Sequence, residues 1–159
     1  MKKIDALNQV ARFHQTFHHP VEPKPTIPAE DRCRLRVALL EEELAEFKKA
    51  IADRDLTEVA DALCDLQYVL SGAVLEFGLG DKFVALFDEV QRSNMSKSCA
   101  TREEAEATQK YYREERGFAS YIKQSGDVFL VFRESDHKTL KSVNYSPANL
   151  HRILQEDDS

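Results

Sequence analysis

The sequence predicts an all-α chain, an antiparallel helical bundle with a small C-terminal β-hairpin appendage. Three observations carry this. Apolar residues recur at alternating three- and four-residue spacing through most of the chain up to Arg92. Punctuation falls where that periodicity breaks: the proline-rich HHPVEPKPTIP, the pair Gly78 and Gly80, and two Asp/Thr-x-x-Glu capping signals. Beyond Gly117 the period switches to two in DVFLVFR.

The first helix is expected over residues 4–18, where Ile4, Leu7, Val10, Ala11, His14 and Phe17 share one face. Four of the five prolines then force an extended connection. A second helix follows Pro28 and runs to about Arg54, with Cys33, Val37, Leu40, Leu44, Phe47 and Ile51 as its apolar stripe. Asp55 and Glu58 cap a third helix whose stripe is Val59, Leu63, Leu66, Leu70, Ala73 and Phe77. A fourth is expected from about Asp81 to Arg92. A fifth, highly charged, opens at Thr101 and stops near Gly117. The hairpin is expected to pair DVFLVFR with TLKSVNY across ESDHK, and Pro147 opens a short closing helix. These elements suggest a helical domain over 1–116, with 117–159 packed on it.

A chain of 159 residues with 42% apolar content can bury a substantial core, which argues against disorder. The net charge of −6 argues against a general nucleic-acid surface, since phosphate backbones want a basic stripe. A single nucleotide is not excluded, because metal ions can bridge two anions. The start MKKIDALNQVARF lacks a signal-peptide apolar core, and LQYVLSGAVL is too short to span a bilayer. Cys33, Cys64 and Cys99 have no paired spacing, so reduced thiols in a cytoplasmic protein are expected.

The chemistry is concentrated in EEELAEFKKAIADRDLTEVADALCDLQYVL, residues 41–70. At about 100° per residue, Glu43 and Glu46 fall beside the apolar stripe of the second helix. Glu42 falls on the polar side with Lys49. Glu58, Asp61 and Asp65 share one face of the third helix. That face could simply be solvated. Solvated faces are commonly of mixed sign, however, and no basic residue occurs between Arg54 and Lys82. The tight turn makes the two helices antiparallel and brings their acids near each other. A hard cation, Mg²⁺ with Mn²⁺ as substitute, is the natural partner for such oxygen donors. The absence of His and Cys from the cluster argues against zinc, and the absence of Glu-x-x-His against a di-iron bundle.

Glu42-Glu43-Leu44-Ala45-Glu46 followed by Glu58-Val59-Ala60-Asp61 resembles the EExxE…ExxD signature of the MazG-like all-α nucleoside triphosphate pyrophosphohydrolases. ADALCDLQYVLSGAVLEFGL and FDEVQRSNMSK look like the phosphoribosyl-ATP pyrophosphohydrolase-like subgroup. The resemblance covers roughly residues 10–98, and KSVNYSPANL is also similar to that subgroup. It implies Glu43, Glu46, Glu58 and Asp61 as Mg²⁺ ligands, with Asp65 an additional or outer ligand. It further implies water attack on the α–β phosphoanhydride of a (deoxy)nucleoside triphosphate, giving monophosphate and pyrophosphate, with Glu43 or Glu46 as base. A homodimer or homotetramer is implied too, and apolar flanks such as Leu39, Ala50, Ala62 and Val69 point the same way.

Further candidates are Asn94 and Lys97 for phosphate, with Arg92 and Lys110 as weaker versions of the same idea. Phe13, His14, Phe17 and His18 are candidates for stacking on or bonding a base. Phe13 and Phe17 have a plain core role as the alternative. Lys138 and Lys141 read as surface lysines that could close over phosphates. Two other functions stand beside the main one: phosphoribosyl-ATP hydrolysis, and a non-catalytic helical interaction module.

Overall fold

A computed structural model describes residues 4–155 of the chain. Six helices and one hairpin follow in order: α1 (Ala6–Phe17), α2 (Glu30–Asp53), α3 (Leu56–Glu76), α4 (Phe83–Met95), α5 (Arg102–Arg116), β1 (Ser120–Ser125), β2 (Val128–Arg133) and α6 (Leu150–Gln155). None of the helices, among the described residues, is long and apolar enough to cross a membrane. Contacts divide the chain into two compact units, one ending at Phe83 and the other starting at Val84. That boundary lies earlier than residue 116, because α5 packs on the hairpin and contributes Ala105 and Tyr112 to its core.

In the first unit α3 is central and packs against both α1 and α2. Asp55 caps α3 as its spacing predicts, its carboxylate accepting from the amides of Thr57 and Glu58. Arg54 closes α2 with a left-handed backbone (φ 56°), which lets the chain reverse within two residues. The proline-rich connection is strapped to the far end of α3, with Glu22 N–H donating to Leu75 O and Thr26 N–H to Phe77 O. Gly78 makes the strap possible. Its φ is +65°, and a Cβ there would lie 1.8 Å from the carbonyl oxygen of Lys24.

The buried line between α2 and α3 is not the expected stripe. Val37 (55% exposed), Leu44, Ile51 (53%), Leu63 and Leu70 stand outward in the single chain. The fully buried residues are Arg36 and Ala50 on α2, and Ala62, Ser71, Gly72, Val74, Leu75 and Glu76 on α3. A buried ion-pair network and small residues take much of the intrachain seam, while Leu40 and Leu66 of the expected stripes stay half-buried. Cys64 is likewise exposed, while Cys33 is half-buried and Cys99 fully buried.

In the second unit the hairpin differs from the expected one. SYIKQS, not TLKSVNY, is the partner of VFLVFR, joined through Gly126 (φ 58°) and Asp127 in register Ser125↔Val128 to Ser120↔Arg133. A Gly-Asp pair between two β-prone runs is a tight-hairpin signal, and it outcompetes the longer ESDHK loop. Thr139 still forms an isolated bridge with Phe132, and Leu140 N–H donates to Val131 O, so the TLK segment does return alongside β2. Cys99, Ala105, Val131 and Leu140 form the core, flanked by Tyr112, Ile122 and Phe129. Thr101 caps α5, accepting from Glu104 N–H. Arg92 on α4 grips the tail through Ser146 and Pro147 while chelated by Glu89.

Candidate functional site

The antiparallel pairing of α2 and α3 sets Arg32 and Arg36 opposite Glu76 at one end and brings Glu43 toward Asp65 further along. Between them, with α1 as the third wall, lies a cavity of about 350 Å³. Its lining includes Phe13, His14 and His19 from α1 and the segment after it, Arg32, Arg36 and Glu43 from α2, and Asp65 and Tyr68 from α3. One end of the cavity is therefore cationic and the other anionic, with aromatic rings between.

The anionic end is made by acids alone. Burial raises the Glu43 carboxyl above its ordinary value, and Asp65, Glu46, Glu42 and Asp61 raise it further. Glu43 and Asp65 are half-buried, whereas Glu46, Glu58 and Asp61 are exposed. Glu58 sits nearer the turn, where it acts on Lys49, whose ammonium donates to Asp53 at 2.7 Å. Asp65 is the first of the neighbouring acids to act on Glu43 after burial, and both line the cavity. Among the described residues no three His, Cys, Asp or Glu side chains cluster closely enough to enclose an ion as they stand. The donors nevertheless suit a hard divalent cation, being carboxylate oxygens of one sign whose repulsion no basic side chain at Glu43 relieves.

The cationic end is structural. Glu76 is fully buried (1% exposed) and accepts from Arg36 and from Arg32 Nε and Nη2. Burial pushes its carboxyl up, but the hydrogen bonds and charges of Arg36 and Arg32 outweigh burial and hold it below the ordinary value. His14 is buried, and its Nδ1 lies 2.8 Å from Pro20 O, so Nδ1 carries the proton and donates. Burial, the largest influence, lowers its pKa. Nε2 is then a lone-pair acceptor facing Arg36 at 3.5 Å. Gly72 leaves room for this packing, since a Cβ there would lie 2.7 Å from Arg36 Nη1 and 3.0 Å from His14 Nε2.

The proposed base contacts separate. Phe13 lines the cavity, packs on Phe17 (centroids 4.4 Å) and meets Tyr68 edge-on at 5.5 Å. His14 lines it too, but Phe17 and His18 do not. His19 takes the place expected for His18, stacked on Phe13 at 5.7 Å. The left-handed turn at His18 rotates the chain and exchanges the two histidines. Arg32, Arg36, Glu76, His19 and Tyr68 were not singled out from sequence. The available signal was Glu76, an acid stranded in the apolar run GAVLEF with two arginines four apart on α2.

In the second unit Lys97 Nζ donates to Asn94 Oδ1 at 2.7 Å, so the amide and the cation sit together. Arg92 is committed to Glu89 and the tail, which accounts for it structurally. Lys110 is exposed on α5.

Comparison with known proteins adds one match. A family model described as phosphoribosyl-ATP pyrophosphohydrolase matches residues 10–94, just over half of the chain. No curated protein matches it.

Proposed function

The chain belongs to the phosphoribosyl-ATP pyrophosphohydrolase family, and from that premise we propose that it hydrolyses (deoxy)nucleoside triphosphates to monophosphate and pyrophosphate. The observation that carries the reading is the single-sign carboxylate face of Glu43 and Asp65, flanked by Glu46 and Asp61, opening on a cavity with aromatic walls.

Glu43, Glu46, Glu58 and Asp61, with Asp65, would hold Mg²⁺, for which Mn²⁺ can substitute. When bound, the ion neutralises triphosphate charge and lowers the pKa of a coordinated water. Glu43 is the proposed base. Glu43 lines the cavity and keeps enough exposure to reach water. Phe13, His19 and Tyr68 are the proposed ring contacts, with His14 behind them fixing the α1 wall. On their chemistry, Asn94 and Lys97 are proposed phosphate contacts.

Phosphoribosyl-ATP is the second substrate reading, favoured by the description of the matching family. A panel of triphosphates together with phosphoribosyl-ATP, assayed for pyrophosphate release with and without Mg²⁺, separates the two. Full turnover by Glu43→Gln and by Asp61→Asn would sink the assigned roles. No turnover of any panel member and no Mg²⁺ binding would instead favour a non-catalytic interaction module.

A homodimer or homotetramer is part of the proposal. Val37, Leu44 and Ile51 on α2, and Leu56, Leu63 and Leu70 on α3, recur every seven residues and are exposed in the single chain. Apolar stripes of that regularity are what a helix-to-helix interface buries.

A further inference from the structure

A cavity of the second unit lies outside the stretch matched by the family model and is used by none of the chemistry above. It has a volume of about 710 Å³ and sits where α5 ends and the segment after β2 returns. Tyr111, Tyr112, Phe118 and Tyr145 supply its rings, and Arg116 and Lys141 its charges. No acid lines it.

The rings are held as a wall. Tyr112 and Phe118 are nearly parallel, 15° apart with centroids at 6.3 Å, and Tyr111 meets Tyr112 edge-on at 5.2 Å. Tyr112 is fixed by its hydroxyl, which accepts from the amide of Lys141 at 3.2 Å. Tyr145 is fixed by a 2.9 Å bond to Ser93. Phe118 and Tyr111 are 36% and 40% exposed, with the Arg133 guanidinium over the Phe118 ring at 5.1 Å.

Neither Arg116 nor Lys141 forms a salt bridge with a carboxylate among the described residues, and Arg116 bonds the side chain of Tyr111. Lys141 instead holds its ammonium over the Tyr145 ring, 4.3 Å from the centroid. Arg116, with Arg113, also offsets the negative end of the α5 dipole, which would otherwise repel an anion here. The hydrogen bond from Ser93, more than the fields of Lys141, Lys97 and Arg92, holds the Tyr145 phenol below its ordinary value.

Part-exposed aromatic rings beside two cations that no carboxylate neutralises, in a cavity within the ordinary size range of ligand pockets, match a planar base joined to phosphate. We propose that the second unit binds a free nucleoside monophosphate, its base against Phe118 and Tyr111 and its phosphate on Lys141 and Arg116. A single nucleotide is favoured over a nucleic-acid strand because the chain as a whole is acidic.

The test is calorimetric titration of the full chain with AMP and with GMP in EDTA, so that no divalent cation supports binding at the α2–α3 carboxylates. Saturable binding is expected with a Kd below about 1 mM. Lys141→Gln and Arg116→Gln should each weaken it about tenfold, Phe118→Ala should weaken it comparably, and Glu43→Gln should leave it unchanged. The three cavity substitutions are at exposed positions, and unchanged far-UV circular dichroism checks their fold. Absence of saturable binding overturns the proposal. So does equal binding of ribose 5-phosphate, equal binding of adenosine, insensitivity to the three cavity substitutions, or tighter binding of a single-stranded oligonucleotide than of AMP.

Discussion

Glu76→Ala is the most informative single perturbation of the first unit. Glu76 is buried and holds two guanidinium groups, Arg36 with a side chain 9% exposed and Arg32 with one 28% exposed. Removing one partner of a buried pair costs about 3–5 kcal/mol, because the remaining charge is left without compensation. Arg32 can swing toward water and Arg36 cannot, so the lower end applies, about 3 kcal/mol. For a chain of this length each kcal/mol moves the melting temperature by about 2–4 °C, which gives a fall of about 6–12 °C. Differential scanning calorimetry at pH 7, with urea denaturation as a second measure, reads this directly. The pH profile is an independent check. The folded pKa of Glu76 is depressed, so its contribution is present above the unfolded value and is lost as pH falls through the folded one. Glu76→Ala should therefore flatten the acid limb of stability. Adding Arg36→Met should recover much of the loss, since an apolar replacement no longer leaves a buried charge. A cost below about 1 kcal/mol, or strict additivity in the double variant, would refute the view that this ion pair holds α2 on α3.

Glu43→Gln should abolish hydrolysis, by about 100-fold or more, yet raise the melting temperature of the metal-free protein slightly. The folded pKa of Glu43 is raised, so its ionised form at pH 7 costs more in the fold than in the open chain. Unchanged stability would show that the acids do not repel. In the metal-free protein the Glu43 carboxyl should titrate above the ordinary carboxylate range by NMR, and Mg²⁺ should lower it. A titration at or below that range without metal would show that burial and the neighbouring acids do not act on it. Gly72→Ala should destabilise by about 1–3 kcal/mol, as its methyl meets Arg36 and His14, and a neutral effect in urea denaturation would mean the helices can part freely there. His14 titrates below its ordinary value, so stability should begin to fall as pH drops below about 6.5, and His14→Gln should remove that component. Leu44→Glu or Leu63→Glu should shift the protein to monomer in sedimentation velocity, and an unchanged mass would send the heptad stripes to another use.

Much of the local structure was legible in the sequence because its causes are local. Asp55 and Thr101 cap α3 and α5 at the residues their spacing indicates, and the prolines confine the chain to an extended path from 20 to 28. The acids were legible as a group for the same reason, since helical spacing alone sets Glu43 toward the seam and Glu42 away from it. The β-hairpin was misread because two turn signals competed, and Gly126-Asp127 closes the shorter and better-twisted loop.

What the sequence determined by itself was the set of helices, their caps, and the single-sign carboxylate face that a cation would complete. Tertiary structure decided which face of each helix turns inward. Hydrophobic periodicity reports that a stripe must be buried, but not whether its own chain or another buries it. Here Arg32, Arg36 and Glu76 take much of the intrachain seam, because two guanidinium groups and one carboxylate satisfy each other only when all three leave water together. Leu44, Leu63 and Leu70 are left facing out, and Asp65 is turned toward Glu43 at the mouth of the cavity.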